Sequence, residues 1–190
     1  MLARPTAIFQ LRNAMPSNFA LFARYNAEMN ERQFLAGQQL TPEALMQERG
    51  AFFGSILGTM NHLIVADTLW LQRIAEHPRR FASLHDIRTW AKPSSLTDFQ
   101  YKTLADWITQ RRILDRLIAQ LVAEITDADL SSVLHYQRTD GTPGSKYLND
   151  VLTHFFNHQT HHRGQISTLF FQAGVDVGVT DLMSLVPDVM

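Results

Sequence analysis

Three histidines carry the most chemistry in this sequence. His158 and His162 lie four residues apart in Asn157-His158-Gln159-Thr160-His161-His162-Arg163-Gly164-Gln165. On an α-helix that spacing puts both rings on one face, about one turn apart. Two imidazoles so placed can share one transition-metal ion. His62 stands in the middle of an upstream apolar stretch that has little other reason to hold it. Burying an imidazole without a partner is costly, and coordination satisfies one ring nitrogen of each. Three neutral imidazoles and no cysteine describe a site with a free coordination position, the arrangement catalysis needs. A bare His-x-x-x-His pair is a common accident, however, and a histidine on an apolar face is more often a hydrogen-bonded core residue than a ligand.

Other residues group around these three. His154 precedes His158 by one further turn and can lean towards the same interior, although adding a third ring to the pair is geometrically strained. Gln165 follows His162 by three residues and shares its face. Asn61 adjoins His62 and Asn157 adjoins His158. Tyr25, Asn26 and Asn30 lie on an upstream helix that can reach the same interior. His161 reads as a surface neighbour or an outer donor to the site. Asn61, Gln165, His154 and Tyr25 are therefore the candidates for the shell outside the ligands. Asp67 lies about 140° round the helix from His62, which leaves no convincing general base. His77, His85 and His135 fall at ends or in connections and read as surface residues.

Four long helical patterns must position these side chains. The first runs from about Ser17, a candidate N-cap after Pro16, to about Ala36, with Gly37 as its stop. The second runs from about Glu48 to about Glu76, on a stripe of Phe52, Ile56, Met60, Leu63, Leu71 and Ile74. Between them Thr41 is a candidate N-cap with Pro42 at the first helical position. Residues 83–89 suit a short helix, and Lys92-Pro93-Ser94-Ser95 is a breaker. The third pattern runs from about Thr97, with Thr97 and Asp98 as caps, to Ile125. Its Arg111, Arg112, Asp115 and Arg116 read as a solvated face. Residues 127–144 form a crossover, in which His135-Tyr136-Gln137-Arg138 and Thr139-Asp140-Gly141 suit a short extended stretch and a tight turn. The fourth helix runs from about Lys146 to Ala173, with Gly174 as its stop. Gly164 inside it costs about 1 kcal/mol against Ala, which suggests a close helix contact there. The fold expected is all-α, a four-helix bundle with a long crossover before the last helix.

Bulk properties narrow the function classes. The 190 residues, 45% of them apolar and 18% charged, fit one core of an ordinary globular protein. A formal net charge of -1 gives no reason to expect nucleic acid or an acidic membrane as partner. No run of uncharged apolar residues is long enough to span a bilayer. The lack of cysteine removes disulfides, thiolate nucleophiles and iron–sulfur clusters. The N-terminus has no secretory h-region. Residues 1–16 carry Arg4 and Arg12 without an acidic residue, resemble a transit peptide in that respect, and read more simply as an N-terminal arm before a domain at 17–190. A cytoplasmic location is compatible with all of this.

The segment from Asn157 to Gln165 resembles the signature of the DinB family. Tyr25-Asn26 with Asn30 is similar to the family's first-helix element. Residues 51–67, continued by Trp70-Leu71-Gln72-Arg73, resemble its second-helix element, and Gly141-Thr142-Pro143 resembles the lead-in to its last helix. The similarity covers about residues 17–185. It implies a four-helix bundle, usually a homodimer, with one divalent transition metal per chain. Carried over to this sequence the ligands are His62, His158 and His162. Three imidazoles suit zinc or nickel first, then iron or copper. The family includes or is related to transferases and isomerases that act with low-molecular-weight thiols, and some members are known chiefly as damage-inducible proteins.

Three functions compete on this sequence. The first is a metal-dependent enzyme, of thiol-transferase or hydrolase type, acting on a small molecule. The second is a non-enzymatic, stress-associated helical-bundle protein with a structural metal. The third is a helical dimer whose core histidines are hydrogen-bonded and hold no metal.

Overall fold

The computed structural model describes residues 18–188. The arm at 1–16 and the cap expected at Ser17 lie outside them. The chain is mostly helical with a small two-stranded sheet. Its helices are α1 (Phe19–Gly37), α2 (Pro42–Met46), α3 (Ile56–Ala75), α4 (Leu104–Glu124), α5 (Asp127–Leu130) and α6 (Leu148–Gln172). The four long ones form a closed ring of contacts: α1 and α3 each pack against both α4 and α6. No described helix is long and apolar enough to cross a membrane.

The helices begin where the sequence supplies an oxygen for a free backbone N–H. Thr41 accepts from Ala44 N with Pro42 at the first position, as its sequence suggests. Ser55 accepts from Gly58 N at 2.9 Å and opens α3, eight residues later than the apolar spacing implies. Residues 48–54 form a turn instead, with Gly50 at φ 68° and Gly54 at φ 75°, conformations that favour glycine. Arg49 N donates to Gly54 O at 2.8 Å and closes the turn. Phe52, expected in the core stripe, therefore sits outside, 85% exposed.

Helix α4 likewise starts late. Thr103, not Thr97, is its N-cap. Asp98 is engaged earlier, accepting from Ser94 N at 2.6 Å and Ser94 Oγ at 2.7 Å, a local turn that competes with helix. Residues 90–103 run as an irregular strap beside α3. Asn61 pins the strap, donating to Tyr101 O at 2.9 Å and accepting from Tyr101 N at 2.8 Å. The expected short helix near 83–89 is a pair of 3-10 turns, Ala82–Leu84 and Asp86–Thr89.

The crossover contains more order than an irregular connection. Strands β1 (Val133–Gln137) and β2 (Pro143–Tyr147) pair antiparallel, with Tyr136 opposite Gly144. The extended stretch and turn read from the sequence form the first half of this hairpin. Helix α6 ends with Gly174 at φ 81°, and Val175 N donates back to Phe170 O at 3.0 Å, the left-handed stop expected there.

Helix α3 is the buried centre of the ring. Ile56, Met60, Leu63, Val65, Leu71 and Ile74 are all within 1% of full burial. Ile56, Met60, Leu63, Leu71 and Ile74 pack with Trp107, Leu114 and Ile118 of α4 and Phe155, Ile166 and Phe170 of α6 in one apolar core. Two polar residues expected on the surface are inside instead. Arg111 is 1% exposed, paired with Asp67 at 2.5 Å and with Asp115 at 3.1 Å. It occupies the apolar seam of α4, one turn after Trp107 and one before Leu114, so the charge run 111–116 is only partly a solvated face. His77 is also buried, stacked on Phe81 at 5.3 Å and bonded to Ser132 Oγ at 2.7 Å. His85 and His135 are exposed.

Candidate metal centre

Contact between α3 and α6 brings His62 to the pair on α6. His62 Nε2 lies 3.3 Å from His158 Nε2, and His162 Nε2 lies 3.1 Å from the same atom. The three residues offer ligand atoms all within 4.8 Å of one another, a group that can hold a metal ion. His62 and His162 are buried and His158 is partly exposed, so the cluster faces outward through His158.

The outer nitrogens decide which way the inner ones point. His62 Nδ1 meets Leu96 O at 2.9 Å. A carbonyl can only accept, so Nδ1 carries the proton and Nε2 keeps its lone pair. His162 Nδ1 meets Gln165 Oε1 at 2.7 Å, which fixes the same tautomer there. Two lone pairs thus converge on the Nε2 of His158, which can donate to one of them but not to both. A cation satisfies all three. With metal–nitrogen bonds of about 2.0–2.1 Å, ligand nitrogens lie roughly 2.9 Å apart in an octahedral arrangement and 3.4 Å in a tetrahedral one. The two separations from His158 Nε2 fall in that range. The donor set and its geometry fit a divalent transition metal.

The imidazoles are held neutral, as ligation requires. Burial lowers the His62 pKa to about 4, against a smaller opposing effect of the Leu96 carbonyl. Burial, with the neighbouring rings His162 and His62 adding to it, lowers His158 to about 3. His162 is lowered too, chiefly by burial, with Gln165 opposing.

The surrounding residues divide clearly. Gln165 touches His162 and also reaches His161 Nε2 at 3.3 Å. Asn61 acts through the strap: by holding Tyr101 it fixes the segment that presents Leu96 O to His62. His154 lies one turn from His158, ring centroids 5.8 Å apart, and packs edge-on against Trp70. Tyr25 is engaged elsewhere, its hydroxyl donating to Thr180 O at 2.6 Å and its ring lying under Arg163. Asn26 and Asn30 join the buried ion network, donating to Asp115 at 3.1 and 3.0 Å. Asp67 is engaged by Arg111 and by Gln159 Nε2 at 2.8 Å.

Phe53 is the part of the site that residue types do not announce. Its ring stacks on His62, centroids 3.8 Å apart and planes 16° from parallel, and meets His162 edge-on at 5.6 Å. The turn at 48–54 delivers it, and Gly58 makes room: a Cβ there would stand 2.1 Å from Phe53 O. The glycines flanking Phe53, at 50, 54 and 58, are the sequence signal that points to it. Leu96 contributes only a backbone carbonyl, which no side-chain pattern marks. Gly164, by contrast, has open space where a side chain would begin, with no atom within 4 Å of a Cβ placed there, so no close helix contact explains it.

The model of the DinB family matches residues 15–187. "Uncharacterized protein YizA" of Bacillus subtilis (strain 168) is 25% identical over 146 residues, covering 77% of this chain and 82% of the relative. "Protein DinB" of the same organism is 24% identical over 168 residues, covering 87% and 92%. No solved structure matches the chain.

Proposed function

The chain belongs to the DinB family, and from that premise we propose that it is a metal-dependent enzyme built on a four-helix bundle, of thiol-transferase or hydrolase type. The observation that carries the reading is the convergence of three Nε2 atoms at 3.1 and 3.3 Å, with the tautomers of His62 and His162 set from outside. His62, His158 and His162 would hold one divalent ion per chain, zinc or nickel before iron. With three protein ligands, one or more coordination positions stay open. A bound ion would supply Lewis acidity, lowering the pKa of a water or thiol so that its nucleophilic, deprotonated form is available at neutral pH.

The chain's own residues supply the rest. Leu96 O and Gln165 orient the rings, Phe53 covers the His62 face, and partly exposed His158 marks the side from which a substrate enters. A cytoplasmic homodimer that takes a low-molecular-weight thiol, with a damage-inducible role, completes the reading. Metal-loaded protein should consume a small thiol with an electrophile such as 1-chloro-2,4-dinitrobenzene, or hydrolyse an ester. His62→Ala should abolish either activity. Equal turnover by wild type and His62→Ala would count against the mechanism.

A second reading rests on the position of the triad between α3 and α6. A metal there ties two core helices together, so its role would be structural in a non-enzymatic stress protein. A large fall in melting temperature on chelation, with no turnover of any thiol or ester, favours this alternative.

A further inference from the structure

A second cavity lies farther along α3. It is a cleft of about 510 Å³ between the 3-10 turns and the hairpin, within the size range of small-molecule sites. Arg73, Arg88, Lys92, Trp90, Tyr136 and Glu76 are in its wall. Arg73 follows His62 by eleven residues, about 16 Å along the helix, so the cleft is separate from the imidazole cluster.

Its charges are unbalanced. Arg73 Nε donates to Gln137 O at 3.1 Å, while its two terminal nitrogens make no hydrogen bond among the described residues. The guanidinium lies over Trp70 at 4.7 Å and Tyr136 at 5.4 Å. No carboxylate pairs with it among the described residues, although it is half-buried and burial lowers its pKa. Arg88 donates to Ala75 O at 3.0 Å and Phe81 O at 3.3 Å, so carbonyls hold it in place and leave its charge uncompensated. Lys92 is exposed and has no ion pair among the described residues. The one carboxylate of the wall, Glu76, is already paired with Arg80 at 3.3 Å.

The aromatic wall is also built. Tyr136 crosses the hairpin onto Gly144, where a Cβ would stand 2.6 Å from the ring. Trp70 holds the ring edge-on from the other side at 5.3 Å. Glycine at this position is what lets the tyrosine lie flat against its strand partner.

We propose that this cleft binds a small organic anion, a carboxylate or phosphate held by Arg73 and Lys92, with a flat portion lying on Trp90. A free guanidinium fork suits either oxyanion. The concave volume and the near-neutral chain favour a small molecule over a polyanion.

Tryptophan fluorescence reads the binding, because Trp90 lines the cleft and Trp70 lies under Arg73. Phenyl phosphate and benzoate, titrated separately, distinguish phosphate from carboxylate, and inorganic phosphate shows what the ring adds. Saturable binding should weaken roughly tenfold or more in Arg73→Gln and in Lys92→Gln. Lys92→Gln removes an exposed side chain and leaves folding intact. Glu76→Gln should strengthen binding several-fold, the opposite sign. Binding should persist in a His158→Ala/His162→Ala variant, which separates the cleft from any anion on a metal and keeps its fate independent of the proposed activity. No saturable binding of either aryl anion, wild-type affinity in the two cation variants, or loss confined to the histidine variant would each overturn the proposal.

Discussion

A single carbonyl and a single amide oxygen set the chemistry of the imidazole cluster. Leu96 O and Gln165 Oε1 hold protons on the outer nitrogens and so aim lone pairs inward. Gln165→Leu removes one of these contacts without touching a ligand. It should weaken metal affinity roughly 10- to 100-fold, measured by competition with a chromogenic chelator; unchanged affinity would show that the His162 tautomer needs no such support. The depressed pKa values also predict a pH dependence for metal-free protein. Unfolded imidazoles titrate near 6.5, whereas His62 and His158 in the fold titrate near 4 and 3. Between those values the unfolded chain binds more protons. The stability of the fold is therefore complete above about pH 6.5 and falls as pH drops toward 4. Melting temperature should decline over that window, with a shallower decline in His158→Ala/His162→Ala. Equal slopes in the two proteins would place the pH dependence elsewhere.

At the scale of elements, two helical glycines make opposite predictions. Gly58→Ala places a Cβ 2.1 Å from Phe53 O, a backbone atom that cannot yield cheaply. It should destabilise the protein by about 1–3 kcal/mol despite alanine's better helix propensity, and should weaken metal binding by displacing Phe53. Gly164→Ala meets nothing and should stabilise by up to about 1 kcal/mol. Chemical denaturation of both variants checks the pair; a stabilised Gly58→Ala would contradict the account of the turn. The same region shows what is legible in the sequence. His158 and His162 are legible because four residues on a helix make about one turn, and the α6 stop at Gly174 because it needs a left-handed residue. His62 stands out only as an imidazole in an apolar stretch, and it is the family resemblance that joins it to the pair. The start of α3 is not, since Phe52 keeps apolar register with Ile56 and Met60 while the glycines around it turn the chain. Arg111 is hidden by its charged neighbours, though its place between Trp107 and Leu114 marks the buried seam. Asp67, between Leu63 and Leu71, is its complement on α3. His77 carries no comparable signal, since its partners Phe81 and Ser132 are supplied by other segments.

The whole molecule is organised around a buried polar layer in the middle of its apolar core. Asp67 of α3, Arg111 and Asp115 of α4, Gln159 and Arg163 of α6, and Asn26 and Asn30 of α1 join all four long helices. A buried ion pair adds little net stability, yet removing one partner strands the other charge. Arg111→Met strands both Asp67 and Asp115 and should therefore cost about 3–5 kcal/mol, while the paired replacement Asp67→Leu/Arg111→Met should cost less, since Asp115 keeps its bonds from Asn26 and Asn30. Urea midpoints of the single and double variants give the comparison. Additive losses would mean that the two side chains do not act as a pair.

Whether the three imidazoles hold a metal is tested most simply by the metal content per chain, by elemental analysis of untagged protein purified without chelator, beside a His158→Ala/His162→Ala variant. Each wild-type chain should carry close to one divalent ion, and the variant none. A wild-type protein that retains no zinc, nickel or iron after loading and desalting would contradict this and leave the converging imidazoles as hydrogen-bonded core residues.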